Sequence, residues 1–306
     1  MDPDFLPLYP LPRLSGEVSG WAYFWVKFPY AMPSFVTFLI GLFLITFSSS
    51  SGFSSMTRRR DIWTVALTFL SYSALACLTA LRSVVADTEQ LLLLHSWIYP
   101  VVLLLAPFSF YLSHLALGQW GSLLLYFGHV SWIPSVVAFI SILDGTAFTG
   151  RWFHYSFGSF PEASWPIKIW GAFPGIGLVF FGLPAFLKDW QIRRSPPILL
   201  IGLFLLFSLT LFNLPVLAGI PVYPGSTLHF IPMLLIIIGL HQKSGRTWLD
   251  LLFTDRGLFY FLNAILAMAL IVLSLSFFGG LRVLEIQARQ WFPAVPITLA
   301  GMVVVF

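Results

Sequence analysis

The chain has 306 residues, 58% hydrophobic and only 9% charged, with a mean hydropathy of +0.89. A water-soluble domain carries roughly a quarter charged residues, so this composition excludes a soluble globular protein. The net charge of +4 is thinly spread and forms no basic patch of the kind that binds nucleic acid.

The N-terminus, MDPDFLPLYPLPRL, begins acidic and proline-rich rather than basic and then apolar, which is not the pattern of a cleavable signal peptide. Residues 1–30 are expected to form an outer, interfacial segment, because the cluster GWAYFWVKFPY at 20–30 suits a stretch lying at the membrane surface. Apolar runs of about 20 residues cross about 30 Å of hydrocarbon. Such runs predict spans over 31–49, 62–82, 91–117, 120–143, 166–187, 196–219 and 226–241, so residues 31–243 read as a seven-helix transmembrane core. Residues 244–306 read as an additional transmembrane hairpin, with an eighth span at 257–279 and a ninth from Trp291. That last span is still apolar at Phe306, after about 15 residues, and looks truncated against the length of a full crossing. The expected fold class is therefore all-α: a polytopic transmembrane helix bundle with a seven-helix core plus a further one or two spans.

Positive residues in short loops set orientation. Arg58, Arg59 and Arg60 follow the first span, Lys188, Arg193 and Arg194 the fifth, and Lys243, Arg246 and Arg256 the seventh. All three clusters fall on one side, which predicts a cytoplasmic face there and an N-terminus outside. The Ser-rich stretch at 48–55 reads as a linker, and no internal repeat is visible.

Ionisable groups inside a membrane are the first places to look for function. Few exist here, which disfavours a proton pump or an ion-coupled transporter. His129 is the most central, and it suits either a hydrogen bond to a neighbouring helix or a proton or ligand role. His95 and His114 share the third span but lie 19 residues apart, about 28 Å along a helix, so they cannot hold one metal. There is no H-E-x-x-H, C-x-x-C or G-x-S-x-G, and the single cysteine, Cys77, permits no internal disulfide. No catalytic residue, metal ligand or cofactor is assigned. A retinal Schiff base is disfavoured because the seventh span holds no lysine within it, Lys243 lying at or past its end.

The expected outer face is richer. Arg82, Asp87, Glu89 and His95 flank the turn between the second and third spans. The long loop DGTAFTGRWFHYSFGSFPEASWPIK contributes Asp144, Arg151, His154 and Glu162 among several aromatics, and loops of this length are uncommon unless they bind or cover something. In GIPVYPGSTLHFIPMLL, at 219–235, His229 stands at the mouth of the seventh span, with Pro232 weakening the backbone bonding just below it. One reading makes His229 an interfacial anchor. The sharper one places His95, Asp144, Arg151, His154, Glu162 and His229 around an outer ligand pocket beneath the long loop.

Four features then carry a resemblance: RRRDIW after the first span, the third span LHSWIYPVVLLLAPFSFYLSHLALG, the long aromatic loop, and the stretch running from KDWQIRRSPPILL to MLLIIIGLHQ. Across about residues 30–243 the chain resembles the N-terminal seven-helix sensor region of bacterial signalling proteins. Such regions precede histidine kinase, nucleotide cyclase, diguanylate cyclase or serine/threonine phosphatase modules. The likeness implies a multi-pass sensor in the bacterial inner membrane, with membrane lipids, a small-molecule ligand at the outer face and a cytoplasmic effector as partners. It departs from that family in its extra spans and in having no catalytic module within the 306 residues. Two other functions stay open: an accessory or structural subunit among the partner chains of a larger membrane complex, and a lipid-handling membrane enzyme or transporter working through Asp144, Arg151, His154 and Glu162.

Overall fold

A computed structural model describes residues 20–49, 59–155, 157–192, 195–220 and 222–243, so the eighth and ninth predicted spans lie outside the described residues. The structure is mostly helical, and six helices are long and apolar enough to cross a membrane: Lys27–Ile45, Asp61–Val84, Thr88–Leu117, Ser122–Leu143, Trp165–Gln191 and Pro197–Leu217. The seventh predicted span, α11 (Phe230–Lys243), has 14 residues. At 1.5 Å per residue it reaches only about 21 Å, and a single 3₁₀ turn, Gly225–Leu228, precedes it.

Helix α1 runs from Gly20 to Ser49, with Pro29 and Pro33 inside it. The aromatic cluster at 20–30 is therefore helical and continuous with the first span, whose membrane-length apolar part is Lys27–Ile45. In an apolar setting, extending a helix is the cheapest way to satisfy backbone groups. Helix α2 (Arg59–Val84) is unbroken.

Four later spans are interrupted, and each interruption has the same cause. A proline inside a helix lacks an N–H and crowds the carbonyl four residues earlier. Pro107 accounts for the break at Leu103–Leu104 between α3 (Thr88–Val102) and α4 (Leu105–Leu117). Pro134 accounts for the break at Ser131 between α5 (Ser122–Val130) and α6 (Trp132–Leu143). Pro184 lies four residues after Phe180, inside the widened π-helical turn Leu178–Gly182 that joins α7 (Trp165–Gly177) to α8 (Leu183–Gln191). Pro215 lies four residues after Leu211, where α9 (Pro197–Leu211) ends before the short α10 (Leu214–Leu217).

The long loop is not helical. It folds into an antiparallel hairpin of β1 (Phe148–Tyr155) and β2 (Gly158–Ala163), which qualifies the all-α expectation. Between the pairs Phe148–Ala163 and Trp152–Pro161 the first strand carries extra residues, a bulge holding Thr149, Gly150 (φ +83°) and Arg151. A bulge of this kind bends the strand and re-aims the side chains that follow it. The hairpin closes one end of the bundle. A Cβ on Gly158 would stand 2.6 Å from the Arg82 carbonyl oxygen, so the turn rests directly on the end of α2 and only glycine fits. Tyr155 donates to the Val216 carbonyl at 3.0 Å. Burial pushes its hydroxyl up to about 12, so it remains protonated and donating at any physiological pH.

The core is aromatic and aliphatic, with Phe69, Phe110, Phe157, Phe160 and Phe207 buried, but a neutral polar seam runs through it. Tyr72 and Ser109 pair at 2.9 Å, Thr210 donates to Tyr72 at 3.2 Å, Thr79 and Ser226 pair at 2.7 Å, and the Ser226 N–H donates to Asn213 Oδ1 at 3.0 Å. These bonds tie α2, α4 and α9 to the 3₁₀ turn without burying a charge, each worth about 0.6 to 2 kcal/mol in a membrane bundle.

Candidate functional site

The hairpin covers a cluster built from α2, α3 and its own strands. Arg82, in the last turn of α2, is 3% exposed. Its Nε donates to His95 Nε2 at 2.9 Å and its Nη2 to the Tyr99 hydroxyl at 3.4 Å. The guanidinium stands 5.1 Å from the Phe160 ring centre and 6.0 Å from that of Tyr99, within cation–π range. His95 and Tyr99 lie one turn apart on α3, so their rings stack, at 5.7 Å. From the hairpin, Phe148 and Trp152 meet His95 edge-on at 5.4 and 6.2 Å. The bulge separates those two residues, so it is what allows both to face the same ring.

The bonding fixes the protonation of His95. A guanidinium has no lone pair to offer, so His95 Nε2 must be the acceptor. His95 Nδ1 lies against the Leu91 carbonyl, which only accepts, so the proton sits on Nδ1 and the ring is neutral.

The charge balance is unusual. Buried arginines are normally paired, yet no carboxylate lies within ion-pair distance of Arg82 among the described residues. A second donor is also orphaned. Trp170, edge-on to Tyr99 at 6.5 Å, has a buried indole N–H with no acceptor among the described residues. Tyr99 accepts from Arg82, which leaves its own hydroxyl proton free to donate. The cluster is thus a cation without a counter-charge, beside an indole N–H and a phenolic O–H that have no acceptor, among the described residues.

The sequence-predicted pocket residues divide into groups. His95 sits at the centre of the cluster, 1% exposed. Asp144, Arg151 and His154 are exposed on the outside of the hairpin or at its base. His154 Nδ1 pairs with Ser159 Oγ at 2.9 Å, and Glu162 accepts from Thr149 at 2.7 Å, with Lys168 at 4.0 Å. The contacts of His154 and Glu162 brace the hairpin. His229 is elsewhere. It is fully buried edge-on to Tyr72 at 4.6 Å, with neither ring nitrogen partnered among the described residues. Tyr72 precedes Arg82 by ten residues, about 15 Å along α2, and the Thr79–Ser226 bond lies between them. The structure therefore brings His95 under the hairpin and leaves His229 at a separate level.

Sequence reasoning placed Arg82 beside the turn but not among the pocket residues. Its one signal was position: a lone cation in the last turn of a span, one turn short of Asp87 and Glu89, neither of which turns back to it. His129, singled out as central, has Nδ1 at 3.1 Å from the Tyr111 hydroxyl, a hydrogen bond to a neighbouring helix. Among the described residues no group of His, Cys, Asp and Glu side chains could hold a metal ion. Set beside known proteins, the chain matches no family model, no curated protein and no solved structure.

Proposed function

We propose that this protein is a multi-pass membrane sensor that binds a small anion, a carboxylate, at Arg82 beneath the hairpin and passes the binding event to a cytoplasmic effector. The observation that carries this reading is the buried, carboxylate-free Arg82 guanidinium under an aromatic clasp, supported by the orphaned Trp170 N–H. A carboxylate pairs with guanidinium through two parallel hydrogen bonds, which makes arginine the natural anchor for such a ligand. The hairpin acts as the cover. Its strands hold Phe148, Trp152 and Phe160, so a ligand that enters re-seats three rings at once. Helix α2 then runs unbroken from Arg82 to Asp61 at the opposite end, about 32 Å away. The resemblance to sensor regions of signalling proteins, with a seven-helix core, agrees with this reading but does not carry it.

The direct experiment is thermal unfolding of the purified full chain in detergent, with acetate, succinate and citrate compared against chloride at equal ionic strength. A ligand present at 100 times its Kd adds about 2.7 kcal/mol to the folded state, which reads as a rise of several degrees in Tm. At least one carboxylate is expected to produce it, and Arg82→Met to remove it. A flat response to all three, or a response that survives in Arg82→Met, overturns the assignment.

Lys188 and Lys243 stand at the end away from the hairpin, and with the loop-by-loop count of basic residues in the sequence this implies that the hairpin faces outside. Arg151 is exposed on the bulge. In a Cys77→Ser background, the substitution Arg151→Cys is therefore expected to react with a membrane-impermeant maleimide on intact cells. Labelling that requires permeabilised cells reverses the orientation.

A further inference from the structure

The end of the bundle opposite the hairpin holds a cavity of about 800 Å³ between α2, α4 and α5, lined by Asp61, Trp63, Phe108, Tyr111, His114 and His129 among others. Its volume is that of a pocket for a drug-sized or larger molecule, and nothing in the anion-sensing reading uses it. We infer that this cavity is a binding site for a phospholipid with an amine headgroup, with the ammonium on Asp61, the ester region at His129 and the acyl chains along Phe108, Leu115 and Leu125.

The argument starts from depth. Asp61 stands in the first turn of α2, and Gly118 at the far end of α4, so these residues form the rim at the membrane face. His129 lies seven residues into α5, about 10 Å deeper. The polar groups are therefore graded along the wall, from a carboxylate at the surface to neutral groups further in, with apolar side chains between them. This is the order in which a phospholipid presents its own chemistry.

The bonding of the wall sets what each group offers. Trp132 Nε1 donates to the Tyr111 hydroxyl at 2.9 Å, and that hydroxyl lies 3.1 Å from His129 Nδ1. Tyr111 accepts from the indole and keeps its own proton to give to His129 Nδ1; in that tautomer His129 offers Nε2–H as a donor for an ester carbonyl. His114 Nδ1 lies 3.0 Å from the Gly121 carbonyl, so it carries the proton and Nε2 is left an acceptor. At the rim, then, stand a carboxylate and an imidazole acceptor, and the ring of Trp63, which is 55% exposed. An ammonium group is matched by all three: charge, hydrogen bonding and a π-face. Among the described residues lining the cavity Asp61 carries the one formal charge, and it is negative.

The test is lipid retention by the full chain in detergent, read by native mass spectrometry after mixing with equal amounts of dioleoyl phosphatidylethanolamine and dioleoyl phosphatidylglycerol. The wild-type protein is expected to retain the amine lipid over the glycerol lipid by about tenfold, the scale of one hydrogen bond to a charged group. Asp61→Asn is expected to bring that ratio close to one. Leu125→Trp, which fills the cavity, is expected to remove the retention of both lipids while the melting transition persists. Equal or greater retention of phosphatidylglycerol by the wild type overturns the inference, because it marks binding by basic residues or by the general lipid annulus. So does an unchanged ratio in Asp61→Asn, a substitution at the rim that leaves packing intact and decides the matter even if Leu125→Trp fails to fold.

Discussion

Gly225→Ala is expected to cost the folded protein about 3 kcal/mol, the upper end of what overpacking costs. A Cβ at this position would lie 1.9 Å from the Leu209 carbonyl oxygen and 2.8 Å from its carbon, so the clash is with backbone and no side-chain rotamer relieves it. The contact is part of a longer seam. A Cβ on Gly239 would fall 2.5 to 2.8 Å from Leu199 atoms, and one on Gly202 would fall 3.0 Å from Ile236 and Leu235 atoms. Small residues along both helices let α9 and α11 approach closely, which in a membrane supplies the packing that hydrophobic burial cannot. Cys77, the single cysteine, is partly buried in α2 and reports unfolding through a thiol-reactive dye. Gly145→Ala is the control: its φ of +70° makes any side chain strained, but nothing lies within 4 Å of the added carbon. That strain costs about 1 to 2 kcal/mol. Equal losses for the two substitutions, or a smaller one for Gly225→Ala, would show that the turn yields and that the seam is not rigid.

The stretch GIPVYPGSTLHF thus has a physical explanation that differs from the one its histidine suggests. Its glycine lets a turn lie on a neighbouring helix, and its histidine is packed against Tyr72 instead of facing a pocket. Six of the spans were legible because each is a long apolar run, and their interruptions were legible in retrospect from Pro107, Pro134, Pro184 and Pro215. The hairpin was harder to read. The strand residues of FTGRWFHY and GSFPEA are separated by a short turn, but no clean alternation marks them: β1 has a bulge, and β2 is buried at nearly every position. Alternation fails when both faces of a strand are covered. Arg82 and His95 are far enough apart in sequence that their meeting depends on how α2 and α3 cross the turn at 85–87, which periodicity along either helix does not encode. The Asp61 cavity was invisible for a related reason. Its walls come from three helices, and each contributes a side chain that looks ordinary on its own span.

Replacing Arg82 by Met is expected to leave stability within about 1 kcal/mol of the wild type, or to raise it. The intuition from contacts is the opposite, since Arg82 makes two side-chain hydrogen bonds and two ring contacts. Burying an ion, however, costs several kcal/mol even after relaxation, and apolar replacement of similar volume is often neutral or stabilising. Here no carboxylate among the described residues offsets that cost. The lost bond leaves His95 Nε2 without a donor, a penalty of about 1 to 3 kcal/mol, and this sets the size of the partial cancellation. A loss well beyond the penalty of that one unpaired acceptor would instead mark an arginine whose bonds and packing hold the fold, and that outcome would remove the reason for reading the site as one kept for a ligand. Tyr99→Phe separates the terms. It deletes the acceptor for Arg82 Nη2 and is expected to cost about 1 kcal/mol in the wild-type background. In the Arg82→Met background that cost should vanish, because the hydroxyl then has no guanidinium to stabilise, and the difference between the two measurements is the coupling between Arg82 and Tyr99. Stability held back at Arg82 and released by its removal is the pattern expected where a folded protein keeps a charge for an incoming partner at the expense of its own free energy.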